Sequence, residues 1–294
     1  MPNSYFDEFI ENALKEDIGD GDHTSSACIP PDAIGRAQLL VKEEGILAGV
    51  YVAERIFSRL DPGVHIEIFK KDGDPVAPPD IAFVVEGKIL ALLKAERLVL
   101  NIMQRMSGIA TTTRRYVNEL KGLKTKILDT RKTTPGMRLL EKAAVRTGGG
   151  ENHRFGLFDM ILIKDNHIDF SGGIEQAITR VKKYMARTGK NLDIEIEARS
   201  LDDVRTILGI GGINRIMLDN FSIADTRTAV DLIGGRFETE SSGGITFENL
   251  RTYAECGIDY ISVGALTHQI KSLDLSLKAL NYKTDEFEPA HAYL

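Results

Sequence analysis

The sequence predicts an α/β protein, with an α+β sandwich domain at the N-terminus followed by an incomplete, six- or seven-stranded TIM-like barrel. Three observations lead there. In the second half, short apolar runs alternate strictly with helical patterns, as in parallel strands joined by crossover helices. Before Leu92 the grammar differs, with strands and turns outnumbering helices. The chain has 294 residues, which suits one barrel-sized domain and a smaller companion.

Taken in order, residues 4–16 place Phe6, Phe9, Ile10 and Leu14 on one helical face. DIGDGDHTSSACIPPDAIG, dense in turn residues, predicts a loop. RAQLLVKEEGILAG predicts strand, turn and strand, VYVAERIFSRL a helix, and VHIEIFKKDGDPV a strand closed by an Asp-Gly turn. From Leu92, helical spacing persists for more than two dozen positions, so one long helix is expected to bridge the halves. Beyond it the strands are TKILDT, MILIKD, LDIEIEA, RIMLDN, RFETES and YISVGA. The helices between them are MRLLEKAAVRT, IEQAITRVKKYMART, LDDVRTILG, ADTRTAVDLI and FENLRTYAEC. Six such units suit a closed or nearly closed barrel, with a doubly wound open sheet as the alternative. The expected boundaries are 1–110, joined by 275–294, and 111–274.

Composition excludes several classes. The chain is 43% hydrophobic and 27% charged, as soluble globular proteins are, and its net charge is −6. That acidic balance argues against a nucleic-acid partner, and no apolar run reaches the ~18 residues of a membrane span. Cys28 and Cys256 form no CxxC pair, and the acidic, amphipathic N-terminus predicts no targeting segment, so a cytoplasmic location is expected.

Against this acidic background, Lys126–Ile168 gathers Arg131, Lys132, Arg138, Lys142, Arg146, His153, Arg154 and Lys164. Such local reversal predicts a pocket for a small, highly charged anion. Ligands of parallel α/β folds bind at the carboxyl ends of the strands. Those ends carry Arg131 and Lys132, then Lys164, Glu197, Asp219, Ser241-Ser242-Gly243-Gly244 and Gly264-Ala265. Arginine pairs with planar carboxylates and lysine acts as a point charge for phosphate, so the ligands should carry both groups. Glu197 and Asp219 suit Mg²⁺, directly or through water, or sugar hydroxyls. Glu195 shares the side of Glu197, and spacing alone does not choose between them. ESSGGITFENL and VGALTH place small residues before helices, where phosphates bind. Arg138, Lys142 and Arg146, at four-residue spacing, predict a solvated or pairing face rather than ligand groups.

The motifs DTRKTTPGMR, GGGENHR, ILIKDNHI, EIEA, IMLDN, ESSGGI and VGALTH, in this order, resemble the quinolinate phosphoribosyltransferase family. ERLVLNIMQRMSGIAT and EDIGDGDHT extend the resemblance over nearly the whole chain. The resemblance implies phosphoribosyl transfer from phosphoribosyl pyrophosphate (PRPP) to quinolinate with loss of CO₂, giving nicotinate mononucleotide and pyrophosphate in NAD biosynthesis. It implies that Arg131, His153, Arg154 and Lys164 hold the quinolinate carboxylates, with Arg97 joining from the second subunit of a dimer. Lys132, Glu197 and Asp219 would serve PRPP and its Mg²⁺, and Ser242, Gly243, Gly244, Gly264, Ala265 and His268 would seat phosphates. Lys132, Lys164, Glu197 and Asp219 are then the expected catalytic groups. Gln269 stands where a small hydroxyl residue is expected, which favours a backbone role near His268.

Three rivals remain on these residues. Nicotinate phosphoribosyltransferase would need fewer cations for its single carboxylate. A Schiff-base aldolase would use Lys164 as nucleophile. A non-catalytic anion-binding barrel would leave Glu197 and Asp219 repelling the ligand.

Overall fold

The computed structural model describes residues 3–280. They form two compact units, each built from separate pieces of chain. The first takes the described parts of Met1–Thr111, Leu139–Gly148 and Ile270–Leu294; the second takes Thr112–Arg138 and Gly149–Gln269.

The first unit contains helices α1 (Asn3–Ile18), α2 (His23–Cys28), α3 (Val50–Leu60) and the start of α4 (Ile89–Glu119). Its strands are β1 (Ile34–Val41), β2 (Gly45–Ile46), β3 (His65–Ile68), β4 (Pro75–Val76) and β5 (Ile81–Lys88). Leu275–Leu280, the last strand among the described residues, pairs antiparallel with β1, and β1 and β3 both pair antiparallel with β5. In β1 the inward residues Ala37, Leu39 and Val41 alternate with partly exposed ones, the pattern of a sheet wet on one side. Helix α4 runs for 31 residues and buries Leu92, Ala95, Val99, Ile102, Met103, Met106 and Ile109 at three- and four-residue steps.

Three expectations for this region are corrected. The polar stretch after α1 is not all loop: α2 forms there because the Asp22 carboxylate caps it, accepting the Ser25 N–H at 3.0 Å. RAQLLVKEEGILAG does hold the two expected strands, but they do not pair with each other: β2 pairs with β4, while β1 pairs with Leu275–Leu280 and β5. Strand β5 has no counterpart in the expected elements. Its Ala82–Val85 core is buried on both faces and runs within a few residues into α4, so it carries no alternation to reveal it.

The second unit holds strands β6 (Lys126–Leu128), β7 (Ile161–Ile163), β8 (Ile194–Ala198), β9 (Arg215–Asp219), β10 (Glu238–Ser242) and β11 (Tyr260–Ser262). Helices α5 (Arg138–Thr147), α6 (Asp165–Ser171), α7 (Ile174–Thr188), α8 (Leu201–Ile210), α9 (Ile223–Ile233), α10 (Leu250–Ala254) and α11 (Ala265–His268) intervene, and Leu275–Leu280 is β12. The parallel sheet is ordered β6-β11-β10-β9-β8-β7. Each strand from β8 to β11 lies beside its predecessor and β11 returns to β6, so the sheet winds one way as a barrel does. A doubly wound sheet would reverse direction from its first strand. Closure stops short between β6 and β7, where β6 meets only a single parallel bridge from Leu128 to Glu151.

The division of the chain also differs from the expected 1–110 and 111–274. Residues Leu139–Gly148, nearly all of α5, group with the first unit, and the second ends at Gln269 because the chain from Ile270 leads into β12 on β1. Residues 281–294, expected to join the first domain, lie outside the described residues.

Candidate active site

Each barrel strand delivers its polar group at its carboxyl end. After β6 comes Asp129, fully buried, and its carboxylate organises the next loop: Oδ1 accepts the His153 N–H at 2.9 Å and Oδ2 accepts from Asn152 at 2.5 Å. Arg138 pins the same region, donating to Thr133 Oγ1 at 3.0 Å and to the Phe155 carbonyl at 3.1 Å. Of the expected solvated or pairing face of α5, Arg138 is a pairing group and Arg146 stays exposed, while Lys142 is buried.

These contacts bring Arg131 and Arg154 together. Burial, and then the Arg131 charge, hold the Arg154 guanidinium below its ordinary pKa, with Glu195 and Glu197 opposing the shift. A half-buried guanidinium that feels the charge of a second, exposed one suits an anion with more than one acidic group.

His153 is buried and both its ring nitrogens are engaged. Nδ1 accepts the Arg154 N–H at 2.7 Å, which places the ring proton on Nε2, facing Glu195 Oε2 at 2.9 Å. Glu240 Oε2 lies 3.5 Å from the same nitrogen. Glu195 and Glu240 are fully buried inside the barrel, and Arg215 reaches Glu240 at 3.0 Å while stacking 4.0 Å above the Tyr260 ring. Burial is the main cause that raises the two carboxyls, Glu195 to about 7 and Glu240 to about 8, and the Glu195 charge contributes to the rise at Glu240.

Two residues along β8 the chemistry changes. Glu197 is ion-paired with Lys164 and also accepts the Asp165 N–H at 3.1 Å through Oε2. Beside it, burial and then the Glu197 charge raise the Asp219 carboxyl above its usual range, opposed by Asn220 and Lys164. The two carboxylates that strand spacing left unranked differ in their partners: Glu197 meets Lys164, while Glu195 faces inward to His153.

The last two loops complete the rim. Gly243 and Gly244 both have positive φ, 85° and 63°, so the chain turns tightly after Ser242. Asn249 closes this turn, donating to the Gly244 carbonyl at 3.1 Å and accepting the Thr246 N–H at 2.8 Å. Helix α10 starts only at Leu250 and has five residues. The glycines after ESS thus sit in a turn separated by residues 245–249 from the helix, not at the expected helix end. In the other loop, Lys132, Gly264 and His268 pack together: a Cβ at Gly264 would lie 2.9 Å from His268 Nε2 and 3.1 Å from Lys132 Cδ. Thr267 Oγ1 fixes the arrangement, donating to the Lys132 carbonyl at 2.8 Å. Ala265 opens α11 directly after Gly264.

The predicted residues thus gather into three neighbourhoods in the second unit: Arg131 with Arg154, Lys164 with Glu197 and Asp219, and Lys132 with Gly264 and His268. Arg97 belongs to the first unit, where it lines a cleft with Lys42, Leu100, Gln104 and Lys278. Sequence reasoning missed Asp129 and Glu240. Asp129 was visible as the first residue of DTRK, and Glu240 as the in-facing partner of Glu238 at strand spacing two.

The chain matches the family described as quinolinate phosphoribosyl transferase, N-terminal domain, over residues 22–107, and its C-terminal domain over residues 109–278. It is 45% identical over 284 residues to quinolinate phosphoribosyltransferase [decarboxylating] 1b of Nicotiana tabacum, covering 92% of this chain and 81% of that one. NadC from Streptococcus pyogenes superposes with a TM-score of 0.89 at 38% identity, covering 96% of this chain and 99% of the other. The nicotinate-nucleotide pyrophosphorylase from Francisella tularensis does so with a TM-score of 0.87 at 39% identity, over 95% and 98% of the two chains. A cationic rim, a carboxylate pair and two small-residue turns on an incomplete barrel are thus accompanied by similarity along almost the entire chain, which belongs to the quinolinate phosphoribosyl transferase family.

Proposed function

We infer that the chain is a decarboxylating quinolinate phosphoribosyltransferase, transferring the phosphoribosyl group of PRPP to the quinolinate ring nitrogen and releasing CO₂ and pyrophosphate. The observation that carries this reading is the division of the rim by charge. Arg131 and Arg154 form a dicarboxylate-binding side, while Glu197, Asp219 and the Gly243–Gly244 turn form a side suited to a sugar and its phosphates.

Arg131 and Arg154 bind the quinolinate carboxylates and hold the ring nitrogen toward the ribose. As pyrophosphate leaves, positive charge develops on the ribose, and Glu197 and Asp219 stabilise it. Lys132 neutralises the leaving group, and the turn amides with His268 seat its phosphates. Attack by the ring nitrogen makes a pyridinium. The electron pair left when the adjacent carboxylate departs as CO₂ is then stabilised by that positive nitrogen and takes up a proton. No covalent nucleophile is required, and the ion pair of Lys164 with Glu197 suits a charge-balancing role better than Schiff-base chemistry.

Two carboxylates held side by side, one with its pKa raised by the other, make an oxygen donor set that fits Mg²⁺. Glu197 and Asp219 would hold the ion, directly or through water, and it supplies charge neutralisation of pyrophosphate.

We further propose a homodimer in which Arg97 of one subunit completes the quinolinate side of the other. Support comes from Arg97 lying in the first unit, and from Leu157 and Phe158, which stand exposed on the loop that follows Arg154. A cytoplasmic location is proposed from the composition; among the described residues no helix is long and apolar enough to cross a membrane.

Incubation with quinolinate, PRPP and Mg²⁺ should give CO₂ and nicotinate mononucleotide in equal amounts. Product formed from nicotinate but not from quinolinate would overturn the assignment in favour of nicotinate phosphoribosyltransferase.

A further inference from the structure

Asn220 follows Asp219 at the end of β9 and is the one non-glycine residue with positive φ, 55°, among the described residues. Its backbone N–H donates to the Ser242 carbonyl at 2.9 Å, one step beyond the last Asp219–Ser242 pair of the β9–β10 ladder. Its side chain makes two further approaches. Nδ2 donates to Asp219 Oδ2 at 3.1 Å. Oδ1 occupies the space a side chain at position 243 would need, since a Cβ on Gly243 would lie only 2.3 Å from it. One amide therefore touches the carboxylate on one side and the phosphate-side turn on the other.

The left-handed backbone alone does not explain asparagine here. Asparagine tolerates that region better than most residues, but glycine enters it at lower cost. Glycine would leave the Asp219 carboxylate without its neighbouring donor and the Gly243 backbone without its packing partner. The choice of asparagine is accounted for by the amide, and the absence of a side chain at position 243 by the room that amide takes.

We propose that Asn220 is a positioning residue for the PRPP side of the site, joining the Asp219 carboxylate and the Gly243–Gly244 turn into one unit. This rests on the function inferred above. Asn220 acts through Asp219 and the turn, so its loss should weaken PRPP and leave quinolinate nearly untouched. A hydrogen bond to a charged group accounts for roughly a ten- to hundredfold change in an equilibrium constant.

The test compares wild type with Asn220→Gly, which keeps the backbone conformation and deletes the amide. Asn220→Asp, of nearly equal size, sets a second carboxylate against Asp219 and is the fallback if the glycine variant does not fold. Calorimetry would measure PRPP binding with and without Mg²⁺, quinolinate binding separately, and melting would check the fold. The proposal expects PRPP to bind the glycine variant roughly tenfold or more weakly in both conditions, with quinolinate binding and melting temperature near wild type. The aspartate variant should be weaker still for PRPP without Mg²⁺. Wild-type PRPP affinity in either variant overturns the proposal, and so does an equal loss for both substrates. Wild type that fails to make nicotinate mononucleotide would instead sink the functional reading, independently of either variant.

Discussion

Glu195 and Glu197 stand two residues apart on β8, face the same side, and live in different chemical worlds. Glu197 sits at the rim, where Lys164 and the Asp165 N–H meet it. Glu195 lies one step deeper, against His153 and beside Glu240, and burial raises its carboxyl to about 7. The same contrast separates Asp219 at the end of β9 from Glu240 in the middle of β10. Depth along a barrel strand, rather than residue type, decides whether a carboxylate serves a ligand or props up the groups that do.

The contrast can be broken at the rim first. Asp219→Ala should lower kcat/KM by about 10² to 10³, the range seen when a preorganised charge-stabilising group is removed. The melting temperature should hardly change; a comparable loss of stability would place Asp219 with the interior acids instead. Next comes Arg154, which feels both Glu195 and Glu197. Arg154→Ala should weaken quinolinate by roughly thirtyfold or more, the cost of stripping a paired charge from a desolvated site. Near-normal affinity in calorimetry would refute its role.

The interior pair is read in stability rather than in activity. Burial lifts both carboxyls above their ordinary 4.5, so the folded state keeps a proton that the unfolded chain has released. This contribution is complete below about 4.5 and is lost as pH rises through about 7 and 8, at about 1.4 kcal/mol per pH unit for one retained proton. Urea unfolding should therefore show stability falling across that window, and Glu240→Gln should flatten the slope. An unchanged slope in the variant would remove Glu240 from the account.

Much of the rim was legible in the sequence, because parallel strands end where ligands bind and DTRK, ILIKD, EIEA and IMLDN each carry a charged side chain near that end. What stayed hidden was hidden for physical reasons. Lys142 shares four-residue spacing with Arg138 and Arg146 and yet is buried, since spacing fixes a face but not what covers it. Glu195 and Glu197 cannot be ranked by a period of two, because both point inward and only neighbours from other strands tell them apart. Strand β5 and helix α2 were missed for opposite reasons, one apolar without alternation and the other polar but held by a cap.

The pairing of β12 with β1 has a consequence for the chain as it is made. Arg36 waits for Leu280, so this sheet of the first unit cannot be completed until residues 275–280 have left the ribosome. Contacts this distant in sequence form slowly, and until β12 arrives one side of β1 is an unpaired edge open to other chains. Translation thus delivers every strand of the barrel before the final strand of the N-terminal sheet, and a chain ending before Ile270 would carry that open edge permanently.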